Sequence, residues 1–522
     1  MNNEDLERIW SKLNFHGFKQ EEYAKKYPSW KAGAKKLVEF LEQWRSVGLI
    51  ADTAAGKTII TILAVFALGK RTLFLTPQRL LTGQHSDLVA LMDTNKEYLH
   101  SRFINGEVSK QKRIWNDPAD QIVFATPHVV MAEIKNGSFN MNDFNLVIFD
   151  EMHKATGNYP YVPLAKIAYT SGLLSVGLSA SPGGTIEKIS IVKENLFLKD
   201  LFRVKVETPK KNEDIVVVEF DENIIQIESL FTELLLRVAG NIADLGIEMD
   251  RNIITNMRVF EDIAKELLTK YKYQGGGLLA AKYRKIYHAY FIAITESYGT
   301  LLEYLDRMEQ KDGSKSGRQI VLSENTQKIT NIARTSSHPK VEKFFELLSS
   351  LKQAGKNALV FFSQKSTALA LKKYFSNGDF NIEILFGGAD KNIKHQTEVL
   401  QKMAAREVDF IFATSVAEEG LSVPEIDTVI HYSMPQTETA LLQRSGRTGR
   451  MKTGHVVFLT INHSLDKVFY YVAKAKTKKM RKIIGEEMFS ANEEPAEPPS
   501  PPRKGKRKKW KDDSTVPLFP DL

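Results

Sequence analysis

The sequence contains no cysteine among its 522 residues. This absence excludes disulfides, iron–sulfur clusters, zinc sites with thiolate ligands and a cysteine nucleophile. Long hydrophobic runs are also lacking, because the longest, near residues 59–68, falls far short of the roughly 20 residues that a membrane span needs. The polar N-terminal segment MNNEDLERIW does not have the pattern of a secretory signal. We therefore expect a soluble intracellular protein.

Neither sign of charge dominates, since 72 Lys and Arg residues oppose 63 Asp and Glu residues, for a net charge of +9. Residues 491–522 hold seven basic and six acidic residues, so most of the excess belongs to the rest of the chain. A mildly basic surface suits a nucleic-acid partner, although an ordinary solvated surface carries such an excess too. The length and the hydrophobic fraction of 43% indicate more than one folded unit, each with its own core.

Short β-rich runs alternate with longer helical stretches in two parts of the chain. Several runs are continuously apolar, as expected of parallel strands that helices cover on both faces. The predicted strands of the first part are Val47–Ala51, Thr72–Thr76, Ile122–Thr126, Leu146–Asp150 and Leu174–Ala180. Those of the second part are Ala358–Ser363, Ile382–Phe386, Phe410–Thr414, Val429–Ser433 and Val456–Thr460. The pattern predicts two α/β units with parallel sheets.

The stretch between the two units lacks strand signals, and its apolar residues recur at helical spacing. We expect an all-helical insert, which either only stabilises the molecule or contacts a partner through basic residues such as Lys270 and Arg284. A Lys-rich amphipathic helix is expected after the second unit. Residues 491–522 hold 7 of the 18 prolines, which predicts a disordered tail.

The segment ADTAAGKT lies between the first predicted strand and an apolar helix. This is the context of a phosphate-binding loop, in which small residues let backbone N–H groups approach phosphates. Lys57 would reach the β- and γ-phosphates of a nucleotide, and the Thr58 hydroxyl would ligate Mg²⁺. The predicted ATP-binding residues of this loop are Ala51, Asp52, Thr53, Ala54, Ala55, Gly56, Lys57 and Thr58.

An acidic pair, Asp150 and Glu151, closes the fourth predicted strand. Carboxylates at a strand end are costly unless they serve a charge, and an ordinary exposed strand end is the alternative. Together with the loop, the pair predicts that Asp150 holds Mg²⁺ and that Glu151 polarises the attacking water. His153 follows, and we expect a hydrogen-bonding relay there rather than a metal ligand.

The string QRSGRTGR (residues 443–450) places an arginine at every third position. Arginine suits a developing phosphoryl charge, and the interleaved glycines do not fit an ordinary solvated basic face. We assign Arg447 and Arg450 to the γ-phosphate across a cleft between the two units, and Gln443 to the attacking water.

Small hydroxyl residues and prolines lie at the C-terminal ends of several predicted strands, where open α/β sheets bind ligands. Groups of this kind contact phosphates without reading bases. The candidate nucleic-acid contacts are Thr76, Pro77, Arg79, Thr126, Pro127, Ser363 and Thr414. The candidate coupling residues between the nucleotide and the nucleic acid are His153, Ser179 and Ser181.

In this order, these strings resemble the motifs of a superfamily 2 helicase of the DEAD/DEAH type. The matching strings are LIADTAAGKT, FLTPQRL, VFATPH, FDEMH, GLSASPGG, VFFSQ, FATSVAEEGLSVPEID and QRSGRTGR. GLSASPGG, SSHPKVEKFFELL and the helical insert resemble most closely the helicase part of the archaeal Hef and Fanconi anaemia group M proteins. The resemblance covers about Ser46–Gly485, and no Hef-type nuclease signature follows it.

The resemblance also shows where this sequence departs from the family pattern. Ala54 stands where the family usually has glycine, and Ser422 stands where an aspartate would contact the ribose. Gly420, in the same motif, is implied to contact ATP. Gln20 is a candidate for the glutamine that recognises adenine.

The resemblance implies two RecA-like lobes that bind ATP and Mg²⁺ between them. The expected segments are an N-terminal helical segment (1–45), lobe one (46–206), the helical insert (222–336), lobe two (338–464), a helix (465–487) and a basic, Pro-rich, disordered tail (488–522).

The implied function is that of an ATP-dependent helicase or translocase on forked or branched DNA in replication-fork repair or recombination. An RNA-directed helicase and an ATPase-inactive binding scaffold are the alternatives. We expect a location with the nucleoid in the cytoplasm, or in the nucleus of a eukaryote. RKGKRKK in the tail would add phosphate affinity, act as a targeting signal or only keep the chain soluble. TVPLFPDL is a candidate docking peptide for a nuclease or clamp-type partner.

Overall fold

The computed structural model describes most of the chain up to residue 483. The described ranges are 1–18, 20–53, 55–95, 97–183, 185–206, 211–249, 257–310, 315–375, 380–386, 393–414, 426–435, 437–448, 454–462 and 464–483. The predicted tail (488–522) lies outside these ranges.

The first lobe is built on a seven-stranded, all-parallel sheet with the order β3-β4-β2-β5-β6-β1-β7. Its strands are β1 (Val47–Ile50), β2 (Thr72–Leu75), β3 (Ser101–Ile104), β4 (Ile122–Ala125), β5 (Leu146–Asp150), β6 (Leu174–Ser179) and β7 (Asp200–Arg203). Its helices are α1 (Asn3–Trp10), α2 (Gln20–Glu42), α3 (Lys57–Leu68), α4 (Arg79–Met92), α5 (Pro127–Lys135), α6 (Tyr161–Thr170) and α7 (Ile186–Asn195).

Successive strand residues of this sheet face two separate hydrophobic cores. Phe74 and Ile148 belong to one core, whereas their neighbours Leu73 and Val147 belong to the other. Helices therefore cover both faces, which explains why the central strands read as continuous apolar runs.

The second lobe has a six-stranded, all-parallel sheet with the order β10-β11-β9-β12-β13-β8. Its strands are β8 (Lys211–Val218), β9 (Ala358–Phe361), β10 (Ile382–Leu385), β11 (Phe410–Ala413), β12 (Thr428–His431) and β13 (Gly454–Ile461). Strand β8 precedes the insert in sequence, yet it pairs with β13 along its whole length. The chain therefore enters the second sheet before it forms the insert.

Helices α8–α13 form the insert between β8 and the rest of lobe two. They are α8 (Glu222–Ala243), α9 (Met257–Thr269), α10 (Gly276–Thr295), α11 (Tyr298–Gln310), α12 (Lys315–Val321) and α13 (Glu324–Thr335). Lobe two adds α14 (Pro339–Gln353), α15 (Lys365–Phe375), α16 (Ile393–Ala404), α17 (Glu438–Ser445) and α18 (Leu465–Ile483). Short 3₁₀ turns lie at Lys110–Lys112, Met141–Asp143, Met152–Lys154 and Lys272–Gln274.

The insert shares one continuous hydrophobic core with lobe two. That core runs from Phe231 and Tyr283 in the insert to Phe344 and Phe412 in lobe two. The architecture confirms the expectation of two RecA-like parallel-sheet lobes with an all-helical insert.

A buried polar cluster also ties the insert to lobe two. Lys340 Nζ, fully buried at the start of α14, donates to Asp466 Oδ2 at 2.5 Å and to the Thr295 carbonyl at 2.7 Å. The Ser433 hydroxyl donates to Glu296 Oε2 at 3.1 Å. Burial raises the pKa of Glu296 to about 7, so the cluster carries a carboxyl group that readily accepts a proton.

Among the described residues, no helix has both the length and the apolar character required to cross a bilayer.

Candidate active site between the two lobes

The segment after β1 forms a tight loop that ends in the first turn of α3. Gly56 adopts the left-handed φ of +86°, and a Cβ atom built on it would lie 2.4 Å from Trp30 Nε1. That indole nitrogen donates to the Ala55 carbonyl at 2.9 Å, so Trp30 fixes the loop from α2. Only glycine meets both the conformational and the steric requirement at this position.

The loop brings the N-terminus of α3 and the Lys57 side chain close together, which is the arrangement that binds phosphate. Helix α3 begins at Lys57, whose Nζ donates to the Ala51 carbonyl at 3.3 Å. The exposed N–H groups of a helix start attract anions, and Lys57 adds a full positive charge. Asp52 accepts a hydrogen bond from Arg203 at 3.2 Å, so its charge is balanced within lobe one. These residues fit a nucleoside triphosphate.

Asp150, the predicted Mg²⁺ ligand, and Glu151, the predicted catalytic carboxylate, lie at the end of β5. Asp150 is buried, and its Oδ2 lies 3.4 Å from His85 Nε2 on α4. The Tyr161 hydroxyl donates to the Asp150 carbonyl at 2.7 Å. Glu151 has a φ of +50°, an uncommon conformation for a non-glycine residue, and this turns the chain sharply after the strand. With Thr58, Asp150 has the oxygen ligands that Mg²⁺ prefers.

The three predicted coupling residues are brought together beside this turn. His153 Nδ1 lies 3.2 Å from Ser179 Oγ and 3.4 Å from Glu151 Oε2. Ser179 Oγ donates to the Ser181 carbonyl at 2.8 Å, and the Ser181 N–H donates back to it at 3.0 Å. The end of β6 is thereby linked to Glu151, the predicted catalytic carboxylate, through one imidazole ring.

Helix α17, which carries the start of QRSGRTGR, packs directly on this face of lobe one. Thr53 Oγ1 donates to the Leu442 carbonyl at 3.5 Å, and Thr439 Oγ1 lies 3.4 Å from Ser181 Oγ. A Cβ atom on Gly446 would lie 2.4 Å from the Thr53 side chain. Gly446 is therefore required for the close approach of the two lobes.

Gln443 is 4% exposed on α17, and its Nε2 has no hydrogen-bond partner within the described part of the molecule. It lines a cavity of about 680 Å³ together with His153, Lys154 and Thr439. A buried donor without a partner is costly, so this amide is poised for a polar ligand in the cleft. The loop geometry of lobe one fits a nucleotide, and the orphaned amide marks a polar position in a cavity that both lobes line.

The two described arginines of QRSGRTGR differ in their surroundings. Arg444 Nη1 donates to the Ser433 carbonyl at 3.2 Å, and its guanidinium lies 5.1 Å from the Phe361 ring centroid. Arg444 therefore braces lobe two internally. Arg447 is also buried, one residue beyond the Gly446 contact with lobe one.

The predicted nucleic-acid contacts follow β2, β4, β9 and β11, at the carboxyl-terminal ends of the strands in each sheet. Thr76, Thr126 and Thr414 are buried, whereas Arg79 and Ser363 are exposed. Pro127 begins α5 and is buried, and Pro77 is half-buried. The buried side chains leave the exposed residues and the backbone as the accessible surface at these strand ends.

Some predicted site residues lie outside the described ranges, so their placement stays a prediction. These are Ala54, Gly420 and Arg450, together with Ser422 and the side chain of Gln20.

Sequence reasoning missed three residues that shape the site. Trp30, His85 and Thr439 contact it from α2, α4 and α17. No local string marks them, because each contact joins segments that are far apart in the chain.

Three comparisons with known proteins agree with this geometry. The family model described as DEAD/DEAH box helicase matches residues 32–189, and the helicase conserved C-terminal domain matches residues 339–452. The crystal structure of the Pyrococcus furiosus Hef helicase domain is similar, with a TM-score of 0.57 and 26% identity, over 82% of this chain and 95% of that one.

Two curated proteins are also similar over most of this chain. A Methanocaldococcus jannaschii protein named as an ATP-dependent RNA helicase is 25% identical over 470 residues, covering 83% of this chain and 58% of its own. The ATP-dependent DNA helicase mph1 of Aspergillus oryzae is 24% identical over 435 residues, covering 73% and 38%. The chain thus spans about 38% to 58% of the length of these two relatives.

Proposed function

The chain belongs to the DEAD/DEAH-type helicases of superfamily 2, and from that premise we propose that it hydrolyses ATP to remodel forked or branched DNA. The observation that carries the proposal is the contact of α17 with the phosphate-binding loop, through Thr53 and Leu442. A nucleotide in this cleft would touch both lobes, so its hydrolysis would change how they pack. Repeated opening and closing would move the lobes along a strand.

Each lobe contributes distinct groups to the proposed reaction. Lys57 and the start of α3 bind the phosphates, while Thr58 and Asp150 hold Mg²⁺, which neutralises phosphate charge when bound. Glu151 accepts a proton from the attacking water, which the orphaned amide of Gln443 orients. Arg447 and Arg450 stabilise the charge that develops on the γ-phosphate.

The proposed substrate is DNA rather than RNA. The Hef helicase domain and the mph1 DNA helicase support this choice, whereas the name of the M. jannaschii relative favours RNA. We also propose an association with DNA in the cell, in the nucleoid or in a nucleus, and docking of a nuclease or clamp-type partner by the tail.

The substrate proposal is tested by measuring ATP hydrolysis with matched nucleic acids. Forked DNA, linear duplex DNA and duplex RNA of equal length are added to the full chain at one salt concentration, because phosphate contacts make affinity salt-dependent. We expect the strongest stimulation with forked DNA. Stronger stimulation by duplex RNA would contradict the DNA assignment and support the RNA alternative. No turnover with any nucleic acid would support the inactive scaffold.

A further inference from the structure

A cavity of about 680 Å³ lies between the two lobes, and its described walls come from three segments. The turn after β5 and the segment from the end of β6 into α7 form the lobe-one side, and α17 with its N-cap forms the lobe-two side. Its polar lining includes His153, Lys154, Thr156, Lys188, Thr439 and Gln443. Among the described lining residues, none belongs to the phosphate-binding loop, so the cavity is a space separate from the loop.

The described lining of this cavity carries positive charge and hydrogen-bond donors. Lys154 and Lys188 supply two ammonium groups, and none of the described lining residues is acidic. Gln443 is 4% exposed, and its Nε2 has no hydrogen-bond partner within the described part of the molecule. Cations without opposing carboxylates attract anions, and a buried amide donor is stabilised when an acceptor reaches it. The ligand that this lining favours is therefore an anion with several acceptor oxygens.

Two acidic residues lie close to the cavity without being among its described lining. Glu187 precedes Lys188 in α7 and is exposed, so solvent and salt screen its charge. Glu151 Oε2 lies 3.4 Å from His153 Nδ1, so an imidazole that lines the cavity also contacts the proposed proton acceptor. One end of the cavity therefore lies beside the groups that we propose to act on the attacking water.

The geometry of phosphoryl transfer directs the product toward this cavity. Leu442, next to Gln443, accepts a hydrogen bond from Thr53 of the phosphate-binding loop at 3.5 Å, so the cavity lining adjoins the loop. The attacking and leaving oxygens lie roughly in line, so water approaches the γ-phosphate on the side away from ADP. Glu151 and Gln443, which we propose to act on that water, mark the cavity side. The phosphate that forms therefore faces the cavity.

We propose that this cavity, which we call the phosphate cavity, binds inorganic phosphate after ATP hydrolysis, as a product site separate from the loop. The proposal rests on the proposed function, because hydrolysis supplies the phosphate. Lys154 and Lys188 offset its negative charge, and the Gln443 amide donates to one of its oxygens. The cavity is larger than one phosphate ion, which favours weak binding of a hydrated ion. Since both lobes form the walls, departure of the phosphate removes contacts between them before the cleft opens.

The test measures binding of inorganic phosphate to the full chain saturated with Mg²⁺ and ADP, which occupy the loop. The line width of the phosphate resonance in phosphorus NMR, at one ionic strength, gives the affinity. The paired variant Lys154→Gln/Lys188→Gln removes both charges and keeps side chains of similar length. Lys193→Gln is the matched control, because Lys193 lies on α7 with Lys188 but lines a different cavity. Thermal melting checks that each variant is folded.

We expect the wild type to bind phosphate and the paired variant to bind it at least roughly tenfold more weakly, because two charges that attract the anion are lost. Inhibition of ATP hydrolysis by added phosphate should weaken by the same factor. Hydrolysis without added phosphate and affinity for forked DNA should stay close to wild type, which separates loss of a product site from general damage. The Lys193→Gln control should match the wild type in every measurement.

Equal or absent phosphate binding in the wild type and the paired variant, with ATP hydrolysis intact, would overturn the phosphate cavity and leave the proposed function standing. A paired variant that keeps its phosphate affinity but binds forked DNA more weakly would assign the two lysines to a strand and would also overturn it. If the wild type neither bound ADP nor hydrolysed ATP with any nucleic acid, the proposed function would fail and the product site with it.

Discussion

Gly446 shows how one missing side chain sets the distance between the lobes. Its backbone has φ −74° and ψ −2°, which alanine adopts readily, so the obstacle to alanine is the nearby side chain of Thr53 rather than the backbone conformation. An added Cβ at 2.4 Å from that side chain must push the lobes apart. Gly446 lies between Gln443 and Arg447 in the chain and contacts the phosphate-binding loop, so the displacement reaches the groups that we propose to be catalytic.

We predict that Gly446→Ala lowers nucleic-acid-stimulated ATP hydrolysis by roughly 10- to 100-fold, because displacements of about 1 Å have effects of this size. Steady-state hydrolysis and thermal melting measure the effect and check the fold. Gly240→Ala is the control, because among the described residues nothing beyond its chain neighbours and its own helix backbone lies within 4 Å of a Cβ atom on Gly240 in α8. A Gly446→Ala variant as active as Gly240→Ala would contradict the close contact between the lobes.

At the same scale, motif strings predicted which residues would be site candidates, and the structure shows where the described ones lie. Lys57 begins α3, Asp150 ends β5, and His153 lies in the short turn that follows β5. Their neighbours Trp30 and His85 could not be predicted, because helices α2 and α4 bring them to the site by packing. A sequence motif predicts a residue with a chemical role, but it does not predict a residue from a distant segment that contacts and positions it.

The helical insert and lobe two meet at a buried carboxyl group, and this junction is the element whose stability depends on pH. Glu296, next to Lys340 and Asp466, has its pKa raised to about 7, chiefly by burial. The folded state therefore binds this proton more tightly than the unfolded state does. Between about pH 4.5 and 7 the folded state holds more protons, so the contribution of Glu296 to stability falls as pH rises.

We predict that Glu296→Gln, which imitates the protonated form, raises the free energy of unfolding at pH 8 by about 3 kcal/mol, since the pKa rises from 4.5 to about 7 and one pKa unit corresponds to 1.36 kcal/mol. At pH 4.5 the difference from wild type should vanish. Thermal melting across this pH range gives the measurement, with exposed Glu303→Gln on α11 as the control. A Glu296→Gln variant that is equally destabilised at both pH values would contradict the buried protonated carboxyl group.

Sheet edges explain which elements the sequence did not predict. Strands β3, β7 and β8 are the ones that sequence patterns missed, and all three lie at edges of the two sheets. An edge strand has a partner on one side only and is partly exposed, so it lacks a continuous apolar run. The first half of β8, KNED, is polar for this reason. Central strands, buried on both faces, were all predicted.

At the scale of the whole molecule, the insert packs on lobe two, and lobe two contacts lobe one across a cleft. The insert is joined to lobe two by a shared core and by the Lys340–Asp466 ion pair. Lobe one meets lobe two through smaller polar contacts at Thr53 and Thr439. From this difference we propose that the insert and lobe two move as a unit when the cleft between the lobes opens and closes.

The most direct test of the central claim, that this cleft hydrolyses ATP in response to nucleic acid, compares wild type with Glu151→Gln and Lys57→Ala. Hydrolysis is measured with and without forked DNA, and binding of a fluorescent ATP analogue is followed in parallel. We predict that forked DNA stimulates the wild type, that Glu151→Gln binds the analogue without turnover, and that Lys57→Ala loses both. Hydrolysis that persists in both variants would contradict the account.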